Sequence, residues 1–126
     1  MEKNTLELAD AVFEMISARF RMLSEPMRLK ILHALEEQEE MSVSELVEAT
    51  QGGQANVSKH LGLLLDAGIV TRRKEGLNSL YRIADQSIFD LCRVVCSGIE
   101  RRLSVQQQAV QRFADREEKK LVTEDQ

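Results

Sequence analysis

Two adjacent glycines, Gly52 and Gly53, separate two short amphipathic runs, and this arrangement narrows the choice of fold more than any other feature of the chain. Upstream, Ser44 is placed to cap a brief helix over 45–50 that buries Leu46, Val47 and Ala49. Downstream, a helix starting at Gln54 carries Val57, Leu61, Leu64 and Leu65 at three- and four-residue spacing, the mark of one buried face. Ala67-Gly68 ends it. Between the two runs, Gln51-Gly52-Gly53 reads as a tight turn in which glycine supplies positive φ at little steric cost. Short helix, glycine turn and second helix together form the helix-turn-helix pattern. Residues 69–75 then read as a strand, Gly76-Leu77-Asn78 as a hairpin tip and 79–83 as the returning strand. A hairpin directly behind the second helix is a wing.

The flanks complete a mainly α chain with one small β-hairpin. Leu6, Ala9, Val12, Phe13, Ile16 and Phe20 share one helical face over 5–22. Ser24-Glu25-Pro26 opens a second helix with a capping hydroxyl, an acid and a first-turn proline. Met27, Ile31, Leu32 and Leu35 line that helix to near Glu37. The acidic run 36–40 reads as a solvated helix end and loop, and Met41-Ser42-Val43 as a strand stub. From Gln86 a long helix presents Ile88, Leu91, Cys92, Val95, Cys96, Ile99 and Leu103. The expected order is therefore helix, helix, strand, helix, helix, strand, strand, helix: a winged helix-turn-helix. It forms a single domain over 1–119, with a flexible charged tail over 120–126. The first and last helices, 5–22 and 86–119, carry apolar stripes that either pack within one subunit or join two copies in a homodimer.

The net charge of −4 weighs against a polyanion partner, but it is unevenly spread. Residues 54–83 hold Lys59, Arg72, Arg73, Lys74 and Arg82 against Asp66 and Glu75, a local +3. Screening beyond about 8–10 Å lets such a module meet phosphates despite distant acids. In a helix-turn-helix the second helix enters the major groove of duplex DNA. Its outward side chains would be Gln54, Asn56, Ser58, Lys59 and His60; Gln and Asn pair bidentately with adenine, while Ser and Lys suit bases or phosphates. Arg72, Arg73 and Lys74 on the wing, with Arg82 on its return strand, would clamp the flanking backbone, although any surface hairpin can carry cations for solubility alone. The DNA-reading part is thus placed at 44–83.

Several classes are disfavoured. No apolar run approaches the roughly 18 residues of a membrane span, and the first residues lack a basic segment followed by an apolar one. A cytoplasmic protein with two free thiols is expected. There is no phosphate loop, Gly-x-Ser-x-Gly, metal-binding His pair or Cys-x-x-Cys, so an enzyme is not expected. The main rival is a winged helix used as a protein–protein interaction module.

Leu23-Ser24-Glu25-Pro26-Met27-Arg28-Leu29-Lys30-Ile31-Leu32 resembles the second-helix motif of the ArsR/SmtB metalloregulator family. Val57-Ser58-Lys59-His60-Leu61, with Leu64 and Ala67-Gly68-Ile69-Val70, resembles its recognition helix and strand entry, and Leu80-Tyr81-Arg82-Ile83 its closing wing strand. The resemblance covers about residues 10–100. It implies a homodimer joined by the first and last helices, which represses in the free state and leaves its operator when an inducer binds.

The family's sensor sites fit this chain poorly. Metal sensors of the third helix carry paired cysteines near its start, where this chain has Met41-Ser42-Val43-Ser44-Glu45-Leu46. Zinc sensors use Asp, His and Glu ligands on the last helix. Asp85 matches one of them, but Ser87, Gly98 and Arg101 stand where the others would be, and His33 and His60 are the only histidines. What remains is Cys92 and Cys96, one turn apart. Cβ atoms at that spacing lie about 5–6 Å apart, whereas a disulfide wants about 3.5–4.5 Å. A bridging As(III) or other soft ion, with metal–thiolate bonds of about 2.3 Å, or a polysulfide link from a reactive sulfur species, would span the gap. Two copies would offer four thiols, and Arg93, Arg101 and Arg102 lie close enough in sequence to lower a thiol pKa. The alternative is that both cysteines merely pack, in a DNA-binding regulator without thiol sensing. No resident cofactor is required on either reading.

Overall fold

A computed structural model describes residues 2–124, with side chains from 7 to 120. The elements are α1 (Glu2–Met22), α2 (Pro26–Gln38), β1 (Met41–Ser42), α3 (Val43–Thr50), α4 (Gln54–Asp66), β2 (Val70–Glu75), β3 (Asn78–Ile83) and α5 (Gln86–Glu124). Their order is the one expected from the sequence. The chain divides into two units, the first ending at Phe89 and the second starting at Asp90.

In the first unit, Ile31, Leu32 and Leu35 of α2, Leu46 of α3 and Val57, Leu61 and Leu64 of α4 form one cluster with Ile69, Val70, Tyr81 and Ile88. All are nearly or fully buried. Each large aliphatic side chain taken from water contributes about 1.5–3 kcal/mol, so this cluster fixes α4 against α2 and α3. The sheet is antiparallel in the order β1-β3-β2, with Met41 opposite Tyr81, and Tyr81 opposite Arg72. Gly76-Leu77 forms a two-residue hairpin loop, and φ of 63° at Gly76 gives the turn the twist that two strands need.

Local chemistry moves several expected boundaries. The cap of α2 is Glu25, whose carboxylate accepts from the Arg28 amide, while Ser24 Oγ instead donates back to the Arg21 carbonyl. The cap of α3 is Ser42, two residues before Ser44. Ser42 Oγ accepts from the Glu45 amide and Glu45 returns a bond to the Ser42 amide, a capping box that starts the helix early. Within α3, Ala49 is exposed and Thr50 takes the buried place; its hydroxyl is satisfied by donating to the Leu46 carbonyl at 2.7 Å.

The interhelical turn also works differently from the expectation. The left-handed residue is Gln51, at φ 59°, and neither glycine has positive φ. Gly52 sits where space is tight: a Cβ there would lie 2.7 Å from Met27 Cε, the movable end of that side chain, and 3.0 Å from Val57 Cγ2. Close approach to the buried, β-branched Val57 side chain, rather than backbone freedom, is what favours a residue without Cβ.

α5 runs past the expected limit at 119 to Glu124, and residues 125–126 of the expected tail lie outside the described residues, as does the side chain of Leu6. On α1, Val12, Phe13, Ile16 and Phe20 are exposed; on α5, Val95, Ile99 and Leu103 are exposed. These apolar stripes are therefore not buried within a single chain.

Candidate nucleic-acid interface

α4 is amphipathic across its width. Val57, Leu61 and Leu64 have no exposure at all, whereas Gln54, Asn56, Ser58 and Lys59 are exposed. The buried set seats the helix and leaves four groove-competent polar side chains on its outward side. Gly53, the cap of α4, makes no side-chain bond to the helix, so the first amides have no capping side chain. Such an end favours a nearby phosphate.

His60 departs from the expected outward set. Its side chain is only 7% exposed. It follows Val57 by three positions and precedes Leu64 by four, which places it on the inner face of the helix; the spacing was visible in the sequence. Its Nδ1 meets Arg28 Nη1 at 3.2 Å, and its Nε2 lies 3.6 Å from Glu25 Oε2. No local pattern in the sequence marks Arg28, 32 residues away, as a neighbour of α4.

The wing divides its cations between two faces. Arg72 and Lys74 alternate with Arg73 along β2, and all three are exposed. Arg73 is already engaged: its Nε and Nη2 donate to the two Glu40 oxygens at 2.8 and 2.7 Å, and Nη2 also reaches Glu75 at 3.1 Å. Glu40, expected to be simply solvated, thus braces the wing from the segment before β1. The pair leaves Arg73 less free for a phosphate than its neighbours.

The Arg73 hydrogen bond, with smaller charge effects from Arg73 and Arg82, holds the Glu40 carboxyl below the usual carboxylate range. A carboxyl lowered in the folded state strengthens the brace at and above its ordinary range and loses that contribution as pH falls through the lowered value. Wing amides should therefore exchange with solvent faster relative to core amides once the pH falls below the ordinary carboxylate range than near neutrality. In Glu40→Gln that pH dependence should be absent. Identical pH profiles in both proteins would dismiss the brace.

In the second unit, Cys92 is half-buried and burial pushes its thiol up. Cys96 is exposed, with Sγ 3.9 Å from Glu100 Oε1. Arg93 pairs with Asp90 on the same helix. The expectation that neighbouring arginines lower a thiol pKa is thus not met at Cys92, where desolvation dominates. Asp85, the single residue matching a zinc ligand, accepts from the Ser87 amide and hydroxyl and lies 3.7 Å from Arg19. Among the described residues no three His, Cys, Asp or Glu side chains gather to hold a metal. No described helix is long and apolar enough to cross a membrane.

Residues 23–73 match the sequence profile of a family described as a helix-turn-helix domain. An HTH-type transcriptional regulator of Methanocaldococcus jannaschii is 34% identical over 83 residues, covering 66% of this chain and 93% of that one. The HTH-type transcriptional repressor SmtB of Mycobacterium tuberculosis is 39% identical over 82 residues, covering 65% of this chain and 57% of SmtB. The solution structure of a homodimeric winged helix-turn-helix DNA-binding domain from Mycobacterium bovis, described as a possible ArsR-family regulator, superposes with a TM-score of 0.67 at 28% identity. It covers 75% of this chain and 87% of the other.

Proposed function

The chain belongs to the ArsR/SmtB family of helix-turn-helix transcriptional regulators, which are not enzymes, and from that premise we propose that it is a homodimeric repressor of a double-stranded DNA operator. One observation carries the reading: Gln54, Asn56, Ser58 and Lys59 face outward on a helix whose opposite side is locked into the core. That helix fits the major groove, where Gln54 and Asn56 offer bidentate partners for adenine and Lys59 suits guanine or a phosphate. Arg72 and Lys74 hold the flanking backbone. The exposed stripes of α1 and α5, including Phe13, Phe20, Val95 and Ile99, join two copies. The two α4 helices then address half-sites about 34–36 Å apart.

The free wing cations should register in the salt dependence. Each phosphate contact removed lowers the slope of log K against log salt by about 1. Arg72→Ala and Lys74→Ala should each do so, weakening all duplexes alike, whereas Arg73→Ala, already paired with Glu40, should change the slope far less. Equal effects at all three positions would contradict the division of the wing. A flat slope in the wild type would favour a protein partner instead.

The inducer acts at Cys92 and Cys96. Two thiols one helical turn apart, one of them exposed, suit As(III), another soft ion or a reactive sulfur species. The experiment is a titration of a duplex selected by the wild-type protein from a random library, under reducing conditions, with arsenite, cadmium, zinc, copper(I) and polysulfide added in turn. At least one addition should release the wild type but neither Cys92→Ser nor Cys96→Ser. Release that survives both substitutions, or no release by any addition, would reduce the cysteines to packing residues.

A further inference from the structure

We infer that Arg28 and His60 form a positioning pair that sets the roll of α4, and hence the register in which its outward side chains meet bases; the inference rests on α4 being the DNA-reading helix. Arg28 reaches three elements at once. Its amide closes the start of α2 on Glu25. Its Nε donates to the Met22 carbonyl at 2.7 Å and its Nη2 to the Arg21 carbonyl at 3.2 Å, at the end of α1. Its Nη1 meets His60 Nδ1 at 3.2 Å, on the inner face of α4.

Donor chemistry fixes the sense of the last contact. A guanidinium has only N–H groups to offer, so Nδ1 of His60 accepts and is unprotonated. The ring proton of the neutral imidazole then sits on Nε2, which points toward the Glu25 carboxylate at 3.6 Å. The ring is hydrogen-bonded on one side and faces a carboxylate on the other, and both groups are themselves tied to the turn between α1 and α2. A leucine at position 60 would fill the space, but rotation of α4 about its axis would no longer break a hydrogen bond. The aliphatic contacts of Val57, Leu61 and Leu64 resist withdrawal of the helix, yet apolar packing is non-directional. The Arg28–His60 bond is directional and lies opposite the reading face. A small roll moves Asn56 and Lys59 across base edges while leaving phosphate attraction nearly intact. The pair should therefore govern discrimination between sequences more than general affinity for duplex.

The test compares wild type with His60→Leu, His60→Asn and Arg28→Met. Asparagine keeps an acceptor one bond beyond Cγ, where Nδ1 stood; leucine keeps bulk without an acceptor. The probes are a duplex selected by the wild type from a random library and a scrambled duplex of the same length. His60→Leu and Arg28→Met should lose about tenfold or more in the ratio of the two affinities, the scale expected when a hydrogen bond to a charged group is lost. Affinity for the scrambled duplex should change by less than about threefold, and His60→Asn should recover most of the ratio.

Ring nitrogen shifts of the free protein give a readout that needs no DNA. Nδ1 of His60 should be the bare nitrogen in the wild type, and Arg28→Met should speed amide exchange in α4. An unchanged affinity ratio in His60→Leu, failure of Asn to restore it, or a protonated Nδ1 would each overturn the inference. A wild type that selects no duplex would overturn the DNA-binding reading instead, and the ring shifts and exchange rates would still decide whether the pair holds α4.

Discussion

Asn56→Ala combined with Lys59→Ala should lower affinity for a selected duplex about a hundredfold or more, since one good base contact is worth about 1–3 kcal/mol and every 1.4 kcal/mol is tenfold. Folding should be unaffected. Both side chains are exposed, and none of the hydrogen bonds or ion pairs described above involves them. Alanine is also a better helix former than asparagine. The loss should fall mainly on the selected sequence, with a smaller and salt-dependent loss on scrambled duplex from the missing Lys59 charge. A double variant that keeps its preference for the selected sequence would place base contact elsewhere than on the outward side of α4.

Leu61→Ala should be the most damaging single truncation in α4. The side chain has no exposure and sits in the cluster that joins α2, α3 and α4. Truncating a buried leucine costs about 2–5 kcal/mol, part of it lost transfer energy and part a cavity the neighbours only partly fill. For a domain of about 100 residues this corresponds to a drop in Tm on the order of 10–25 °C. Leu63→Ala, two positions along and 39% exposed, should cost much less. Thermal unfolding of the two variants checks the contrast. Similar drops in Tm would mean that α4 is not seated on the Val57–Leu61–Leu64 face, and the outward position of Asn56 and Lys59 would fall with it.

Where an element carried a periodic apolar face, its type and place were legible in the sequence, because period and burial are two views of one constraint. Val57, Leu61 and Leu64 pinned α4 in this way, and Ile31, Leu32 and Leu35 pinned α2. Details resting on polar chemistry across short distances were harder to see. Ser42 and Ser44 are equally good caps by residue type, and only the return bond from Glu45 selects Ser42. The two glycines suggested a turn for the wrong physical reason: Gln51 takes the left-handed conformation, and Gly52 makes room for Met27 and Val57.

The same division runs through the candidate interface. Gln54, Asn56, Ser58 and Lys59 follow from the helical pattern, whereas the spacing of His60 from Val57 and Leu64 puts it inside despite its polar ring. A buried polar residue needs a partner, and its partner Arg28 is 32 residues away. Residue type did not reveal that separation. Arg73 is likewise equivalent to Arg72 and Lys74 by residue type, but Glu40 lies against it. For Cys92, arginines near in sequence suggested a lowered thiol pKa, while burial acts in the opposite direction.

The most direct measurement is an amide chemical-shift map of the whole chain as a selected duplex is added. The largest shifts should fall on the first two turns of α4, from Gln54 to Lys59, and on the wing around Arg72 and Lys74, with the buried side of α4 moving less. Shifts confined to the apolar stripes of α1 and α5, with those amides silent at saturating duplex, would contradict the claim that this helix is the part of the molecule that meets DNA.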